Sequence, residues 1–418
     1  MSAYGNLLDP GRHERVPLGV KAERQYHTIT HNPSTISAGE TLYVRVPKLK
    51  KDVLIVPGTL KLTFDLAKAG HANNFFVQNV ARNLQARVVD KLGGEILSDV
   101  NHYGVFETYK DLWLTEKQRK NLVLQGIAKS NVRKLRAGAG DADKDEDTHN
   151  ALFKACGSKY YIPIDFDVYS KHGPFYPNVI AEDFIREITF NDAKHVVSAT
   201  DATSIGYTIT NICIEYETIH SAELARQIEA DYTSGHTFYY DYVTHFKTQS
   251  TGTDKTFNIN VNIPRRSMKG VLVFFQEAAD SGKYESESTP FQNPDVTDVQ
   301  VTIEGLANKV YPQGFKAYQQ WDEASRYFLP RLADGTKMLE SHMDMEEFYG
   351  SDKYALWLDL RSTEDGQLHG SGLRLVNTND GVQLAITRST ATSLTMHVFV
   401  IADAQMSIQN RQLHSVMF

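Results

Sequence analysis

The sequence predicts an all-β protein of two tandem units, and three observations predict it. Apolar residues alternate with polar ones at period two over most of the patterned segments. Helical spacing is confined to a few stretches. The strand patterns of the first half return, in the same order, in the second half. The 418-residue length fits two domains of about 200 residues each.

Taken in order, the chain opens on a segment without alternation. Pro10-Gly11 and Pro17-Leu18-Gly19 interrupt regular structure there, so residues 1–34 are expected to be an arm outside either unit that acts in assembly. Leu42, Val44 and Val46 then share one strand face, as do Leu60, Leu62, Phe64 and Leu66. Gly93-Gly94 reads as the turn of a hairpin. From Tyr103 to Leu135 the apolar steps lengthen to three and four (Phe106, Tyr109, Leu112; Leu122, Val123, Ile127), which predicts helices. Thr115 and Gln118 are spaced for a capping box. Gly138 to Asn150 is rich in Gly, Ala and Asp and reads as a solvated loop. Residues of about 101–159 are therefore expected to form an insertion outside the first unit.

Strand alternation resumes at Ile162, Ile164, Phe166 and Val168, and again at Ile212, Ile214 and Tyr216. Ser221 to Tyr232 reads as an amphipathic helix with Leu224, Ile228 and Tyr232 on one stripe, and residues 219–237 as a linker. The second half alternates at Phe257, Ile259, Val261 and Ile263, then at Val299, Val301 and Ile303. It does so again at Leu356, Leu358 and Leu360, and at Leu394, Met396, Val398 and Val400. Trp321 to Phe328 has helical spacing. Asp380-Gly381 is expected to join Leu373/Leu375 to Val382/Leu384/Ile386 in a hairpin.

The repeat is collinear. Thr41 to Val46 matches Thr256 to Val261 at 256 − 41 = 215, and Leu84, Ala86 and Val88 match Val299, Val301 and Ile303 at the same offset. Ile162 to Phe166 matches Leu356 to Leu360 at 356 − 162 = 194. Glu187-Ile188-Thr189 matches Ala385-Ile386-Thr387 at 198, and Ile212/Ile214 match Val398/Val400 at 186. The falling offset places the extra residues of the first copy between positions 90 and 160, where the helical stretch lies. Each copy carries roughly eight strands, and eight antiparallel strands in two packed sheets make a jelly roll. The expectation is two jelly rolls, 35–218 and 238–402, with a tail at 403–418.

Composition excludes several classes. There are 44 basic and 51 acidic side chains, a formal charge of −7. That balance argues against nucleic acid as the principal ligand. No apolar run reaches the roughly 18–20 residues that span a bilayer. No basic-then-apolar secretory signal opens the sequence. Cys156 and Cys213 are too few for a disulfide framework, so synthesis in a reducing compartment such as the cytoplasm is expected.

The chemistry-bearing patterns are weak. A two-roll enzyme of the bicupin type needs His-x-His to hold a transition metal. None of the 15 histidines has that spacing; the nearest pair is His27 and His31. Asp141 to Asp147 begins like a calcium loop, but Glu146 stands where Gly is needed and Leu152 where Glu is needed. His369-Gly370-Ser371-Gly372 resembles a nucleophile turn without its leading Gly and reads as a loop before a strand. His342 to Glu347 reads as an exposed loop. The basic runs Lys129 to Arg136 and Lys48-Leu49-Lys50-Lys51 lack interleaved aromatics and read as solvated. No catalytic, cofactor-binding or metal residue is predicted. Two aromatic groups, Phe238-Tyr239-Tyr240-Asp241-Tyr242 and Tyr311, Phe315, Tyr318, Trp321, Tyr327 and Phe328, keep a carbohydrate-binding, lectin-like module as the alternative to core and interface packing.

Tyr161-Ile162-Pro163-Ile164-Asp165-Phe166, then Pro174-Phe175-Tyr176-Pro177-Asn178-Val179-Ile180, then Phe184 to Phe190 read as strand, short proline-containing helix, strand. This unit resembles the first roll of the double jelly-roll major capsid proteins, at the polinton-like and adintovirus end of that group. The resemblance runs from about Thr41 to Ala402; the second roll has Gly366 to Gly372 in place of the proline-rich segment. It implies a non-enzymatic, hexon-like subunit of a DNA virus that forms a homotrimer and packs with neighbouring capsomers into an icosahedral virion. It also implies contacts with a penton or minor capsid protein, and no cofactor.

Overall fold

The computed structural model describes residues 23–69, 75–77, 79–127, 152–170, 173–198, 205–252, 254–284, 287–303, 306–307, 311–329, 343–350, 352–362, 370–376 and 381–418. Roll one is built from β1 (Glu23–Thr30), β2 (Thr41–Arg45), β3 (Lys61–Ala69), β4 (Gln85–Leu92), β5 (Glu95–Asn101), β6 (Tyr160–Pro163), β7 (Phe184–Phe190) and β8 (Gly206–His220). Its antiparallel sheets run β1-β8-β3-β6 and β2-β7-β4-β5. Roll two is built from β9 (His236–Ser250), β10 (Thr256–Val261), β11 (Arg265–Glu277), β12 (Val296–Ile303), β13 (Phe315–Lys316), β14 (Leu356–Asp359), β15 (Val382–Arg388) and β16 (Leu394–Gln409). Its sheets run β9-β16-β11-β14 and β10-β15-β12, with β13 beside β12. Each strand of roll two holds the place of its counterpart eight strands earlier. That order, in two facing sheets, is the jelly roll.

The duplication extends to single residues. Thr41 faces Thr189 with hydroxyls 3.0 Å apart, and Thr256 faces Thr387 at 3.4 Å. The same ladders pair Ile188 with Val88 and Ile386 with Val299. Val88 thus corresponds to Val299, at 299 − 88 = 211, four residues from the match made on alternation alone. With Ile162 set on Leu356, the pairing brings Leu62 onto Val273 and Ile214 onto Val398, two residues from the sequence match. Period-two patterns fix the face of a strand but leave its register free to slide by two or four.

Four expected boundaries are corrected. β1 pairs along its whole length with β8, from Glu23↔His220 to Thr30↔Cys213, so the arm through residue 34 ends before Glu23. Both faces of β1 are largely exposed, which is why it shows no alternation. Residues 403–418 are not a tail: β16 continues to Gln409, and β17 (Gln412–Met417) pairs back onto it. Leu373–Leu375 pairs with β11, whereas β15 pairs with β10 and β12, so the two are in different sheets and form no hairpin. Pro174 to Ile180 forms turns, with Tyr176 N donating to Tyr232 Oη at 2.9 Å. The Gly93-Gly94 turn does join β4 to β5; both glycines have positive φ, +61° and +92°, as a two-residue hairpin of this hand requires.

Helices fill the connections: α1 (Val80–Asn83), α2 (Tyr103–Leu112), α3 (Glu116–Lys120), α4 (Ala193–Val196), α5 (Ala222–Ser234), α6 (Ala317–Phe328) and α7 (Met345–Gly350). α3 has the predicted capping box between Thr115 and Gln118. In α5, Ser221 caps the N-terminus while Ala225, Ile228 and Tyr232 are buried. None of the described helices is long and apolar enough to cross a membrane.

Two apolar cores form, and they do not divide at the linker. Phe238 and Tyr240 of β9, with Ala404, Met406 and Ile408 of β16, belong to the core of roll one. Val243 and Leu394 to Ile401, further along the same strands, belong to the core of roll two.

Candidate functional site: the joint between the rolls

The segment expected to stand outside the rolls is the joint between them. α2 is fixed to roll one at its foot, where Arg82 Nε and Asn79 Nδ2 each donate to Asp111 Oδ2 at 3.3 Å. At the other end of α2, Gly104 also lies against roll one, where a Cβ would be 2.3 Å from the carbonyl oxygen of Arg82. The apolar stripe of α2 then lies on roll two. Phe106 stacks on Phe399 at 5.3 Å between ring centroids, and Tyr109 meets Phe274 at 4.8 Å and Phe291 at 5.2 Å. Trp113 stacks on Phe328 of α6 at 5.7 Å. α6 covers the rest of that sheet, with Tyr327 stacked on Trp357 at 4.3 Å. Phe106, Tyr109, Leu112 and Trp113 are counted in roll two's core, although they belong to roll one's insertion.

At the head of α2, four histidines meet from four places in the sequence. His102 is the N-cap of α2, in a left-handed conformation (φ 52°, ψ 37°). His245 of β9 and His397 of β16 project from the face that α2 covers: His245 is opposite Phe399, and His397 is two residues back. His245 Nε2 lies 3.2 Å from His397 Nδ1, and ligand nitrogens of all three rings fall within 4.8 Å of one another. The His102 ring is 6.3 Å from that of His195 on α4. His195 Nε2 is 3.5 Å from Glu287 Oε2, and its buried Nδ1 has no hydrogen-bond partner. Burial first, and then mutual repulsion among the rings, pushes His102 down to about 4, His245 down to about 3 and His397 well below the usual range. All three are neutral at pH 7.

A second polar group lies along the same sheet. Lys269, 2% exposed, donates to Asp241 at 2.6 Å and lies 3.0 Å from Asp403, which also accepts from Ser267. These charges pair with one another across β9, β11 and β16 and are structural.

The patterns weighed in the sequence are dispersed. Asp141 to Asp147, Lys129 to Arg136 and His369 lie outside the described residues. Gly370 N donates to Asp403 and Gly372 N to Ser267, so the Gly-Ser-Gly segment is the loop expected before Leu373. Glu346 and Glu347 are in the first turn of α7 and not in a loop, because Asp344 Oδ1 accepts from Glu347 N at 2.8 Å and starts the helix. Lys48 donates to the carbonyls of Ile180 and Glu182 within roll one. Phe238, Tyr240, Tyr311 and Phe315 are buried in the cores, while Tyr318 is 74% exposed. No pattern scan finds the histidine group, because its members are separated by 93, 50 and 152 positions (195 − 102, 245 − 195 and 397 − 245). Only the pairing of β9 with β16 and the seating of α2 bring them together. The group also lies outside the barrel of roll two, where a cupin would hold its metal inside.

No family model and no curated protein matches the chain. Solved structures do. A quasi-atomic model of the PBCV-1 virus capsid superimposes with a TM-score of 0.61 at 11% identity, covering 96% of this chain and 97% of that one. The Sputnik virophage structure gives 0.61 at 11% identity, with 96% and 89% covered. The Faustovirus major capsid protein gives 0.56 at 8% identity, with 98% and 94% covered. Likeness at this level of identity is likeness of fold, and it runs through both rolls: the chain has the double jelly-roll fold of these viral capsid proteins.

Proposed function

We propose that the chain is a major capsid protein that trimerises into pseudo-hexagonal capsomers and builds an icosahedral viral shell. One observation carries this reading: the likeness to capsid subunits covers 96–98% of this chain and so takes in both rolls. Two rolls of one strand order, held rigidly side by side, supply six similar lobes when three chains close around a threefold axis. The chain's partners are then its own copies, with a penton or minor capsid protein at positions that three double rolls cannot fill. Its place is the virion, and its role is structural and not enzymatic. The burial of Phe238, Tyr240, Tyr311 and Phe315, and the stacking of Tyr327 on Trp357, favour this over a carbohydrate-binding module.

Light scattering of the purified protein is expected to give 3 × 47.1 = 141.3 kDa, and negative-stain images are expected to show six-lobed particles. A persistent monomer at micromolar concentration, seen as isolated two-lobed particles, overturns the proposal. Deleting residues 1–22, which precede β1, is expected to leave the trimer folded and to impair shell formation; normal shells would remove the arm's role.

A further inference from the structure

We propose that His102, His245 and His397 bind a single divalent transition-metal ion, with zinc the fitting one, and that the ion ties roll one to roll two. The inference does not depend on capsid assembly; it rests on the joint within one chain.

The geometry is that of a site close to closure. A tetrahedral zinc ion with bonds of about 2.0–2.1 Å holds neighbouring nitrogens roughly 3.3–3.4 Å apart. His245 Nε2 and His397 Nδ1 are already 3.2 Å apart. The third nitrogen, on His102, lies within 4.8 Å of both and reaches bonding distance by a side-chain rotation of about an ångström. Imidazole is the ligand preferred by zinc, copper, nickel and cobalt, and the site offers no oxygen-rich cage of the kind magnesium or calcium requires.

Two further features suit a ligand site. The backbone of His102 is left-handed, a conformation that costs of order 1 kcal/mol or more for a residue with a Cβ and persists where the surroundings demand it. His195 has one nitrogen on a carboxylate and the other buried without a partner, the arrangement of a metal-ligating histidine backed by its second shell. Its ring lies 6.3 Å from that of His102, beside the three-ring group.

The placement sets the consequence. His102 belongs to roll one, at the head of α2, while His245 and His397 are on the two strands of roll two that α2 covers. A bound ion would close a link between segments more than 140 positions apart (245 − 102 = 143), at the N-terminal end of α2.

The test uses full-length, untagged protein stripped with a chelator. Titration with Co²⁺ alone is expected to give one ion per chain with the strong visible absorption of a four-coordinate site, and Zn²⁺ should displace it. His102→Asn keeps a residue at ease with the left-handed backbone and removes a ligand; it and His245→Gln are each expected to weaken Zn²⁺ binding at least 100-fold. His195→Gln is expected to weaken it 10- to 100-fold. Melting temperature should rise with Zn²⁺ in the parent chain and not in His102→Asn, which also shows that the variant folds. Failure of the parent chain to bind one Co²⁺ or Zn²⁺ per chain overturns the proposal. So does unchanged affinity in His102→Asn and His245→Gln, which would leave the rings as a packed, hydrogen-bonded group.

Discussion

Corresponding sheets of the two rolls have the same strand order and opposite outer faces. In the sheet β1-β8-β3-β6, the residues pointing away from roll one's core include Thr28, Lys61, Thr63 and Glu215. Lys61 lies 3.3 Å from Glu215, which also accepts from Thr63 at 3.0 Å. In β9-β16-β11-β14 the corresponding positions are His245, Leu272, Phe274 and Phe399, and α2 and α6 cover them. One duplicated sheet therefore keeps a polar side while its copy has become two-sided core. The inner pattern, which both copies need to close a roll, is preserved. The outer pattern follows whatever lies on top, and only roll one donates an insertion to cover its partner.

The largest expected effect tests that asymmetry directly. Phe399→Ala is expected to cost about 3–5 kcal/mol, as for an aromatic ring lost from a packed core. Glu215→Ala, at the matching position, is expected to cost no more than about 1 kcal/mol. Urea unfolding of both variants gives the comparison, and equal costs would mean that α2 does not seal the sheet.

Acid is the next lever, and it acts on the joint: Thr28 and Cys213 stand in roll one where His245 and His397 do in roll two. These histidines titrate well below 6.5 in the fold and near 6.5 when unfolded, so between those values the unfolded chain binds more protons and stability falls as pH drops. Lys247 adds to the downward shift in all three rings, and Glu287 opposes it at His102 and His195. In the presence of a chelator, each of His102 and His245 is expected to contribute a loss of about 3 kcal/mol between pH 6.5 and pH 4. His245→Gln should flatten that dependence, as read by urea melts at several pH values.

Two smaller effects sharpen the picture. Thr115→Ala removes the capping box of α3 and is expected to cost about 1 kcal/mol in thermal unfolding. Lys61→Ala, on the polar sheet, should change stability by about 0.5 kcal/mol or less, and high salt should erase the difference.

Much of this was legible in the sequence, for stated physical reasons. Alternation revealed the inner faces of β2, β7 and β10, and the capping pair Thr115 and Gln118 marked α3 correctly. β11 went unread, because its continuous apolar run Val271 to Phe275, buried on both sides of the sheet, carries no period-two alternation, in contrast to Ile212 to Tyr216 of β8. β1 escaped notice because an edge strand exposed on both faces leaves no periodic trace. The helical spacing of Phe106, Tyr109 and Leu112 predicted a buried stripe but not its partner, which lies more than 150 positions away. The histidine group was invisible for the same reason.

The two strands that run through both cores set a timetable for folding during synthesis. Roll one looks complete once β8 has left the ribosome, yet its core still lacks Ala404, Met406 and Ile408, which follow His220 by more than 180 positions (404 − 220 = 184). Until they arrive, a nascent roll one has an apolar opening where the far half of β16 will sit. Long-range pairing of this kind is slow and leaves partly folded chains prone to aggregate. Neither half is therefore expected to behave as an independent, soluble domain when expressed alone, and β16, which runs through both cores, acts as the latch for the whole molecule.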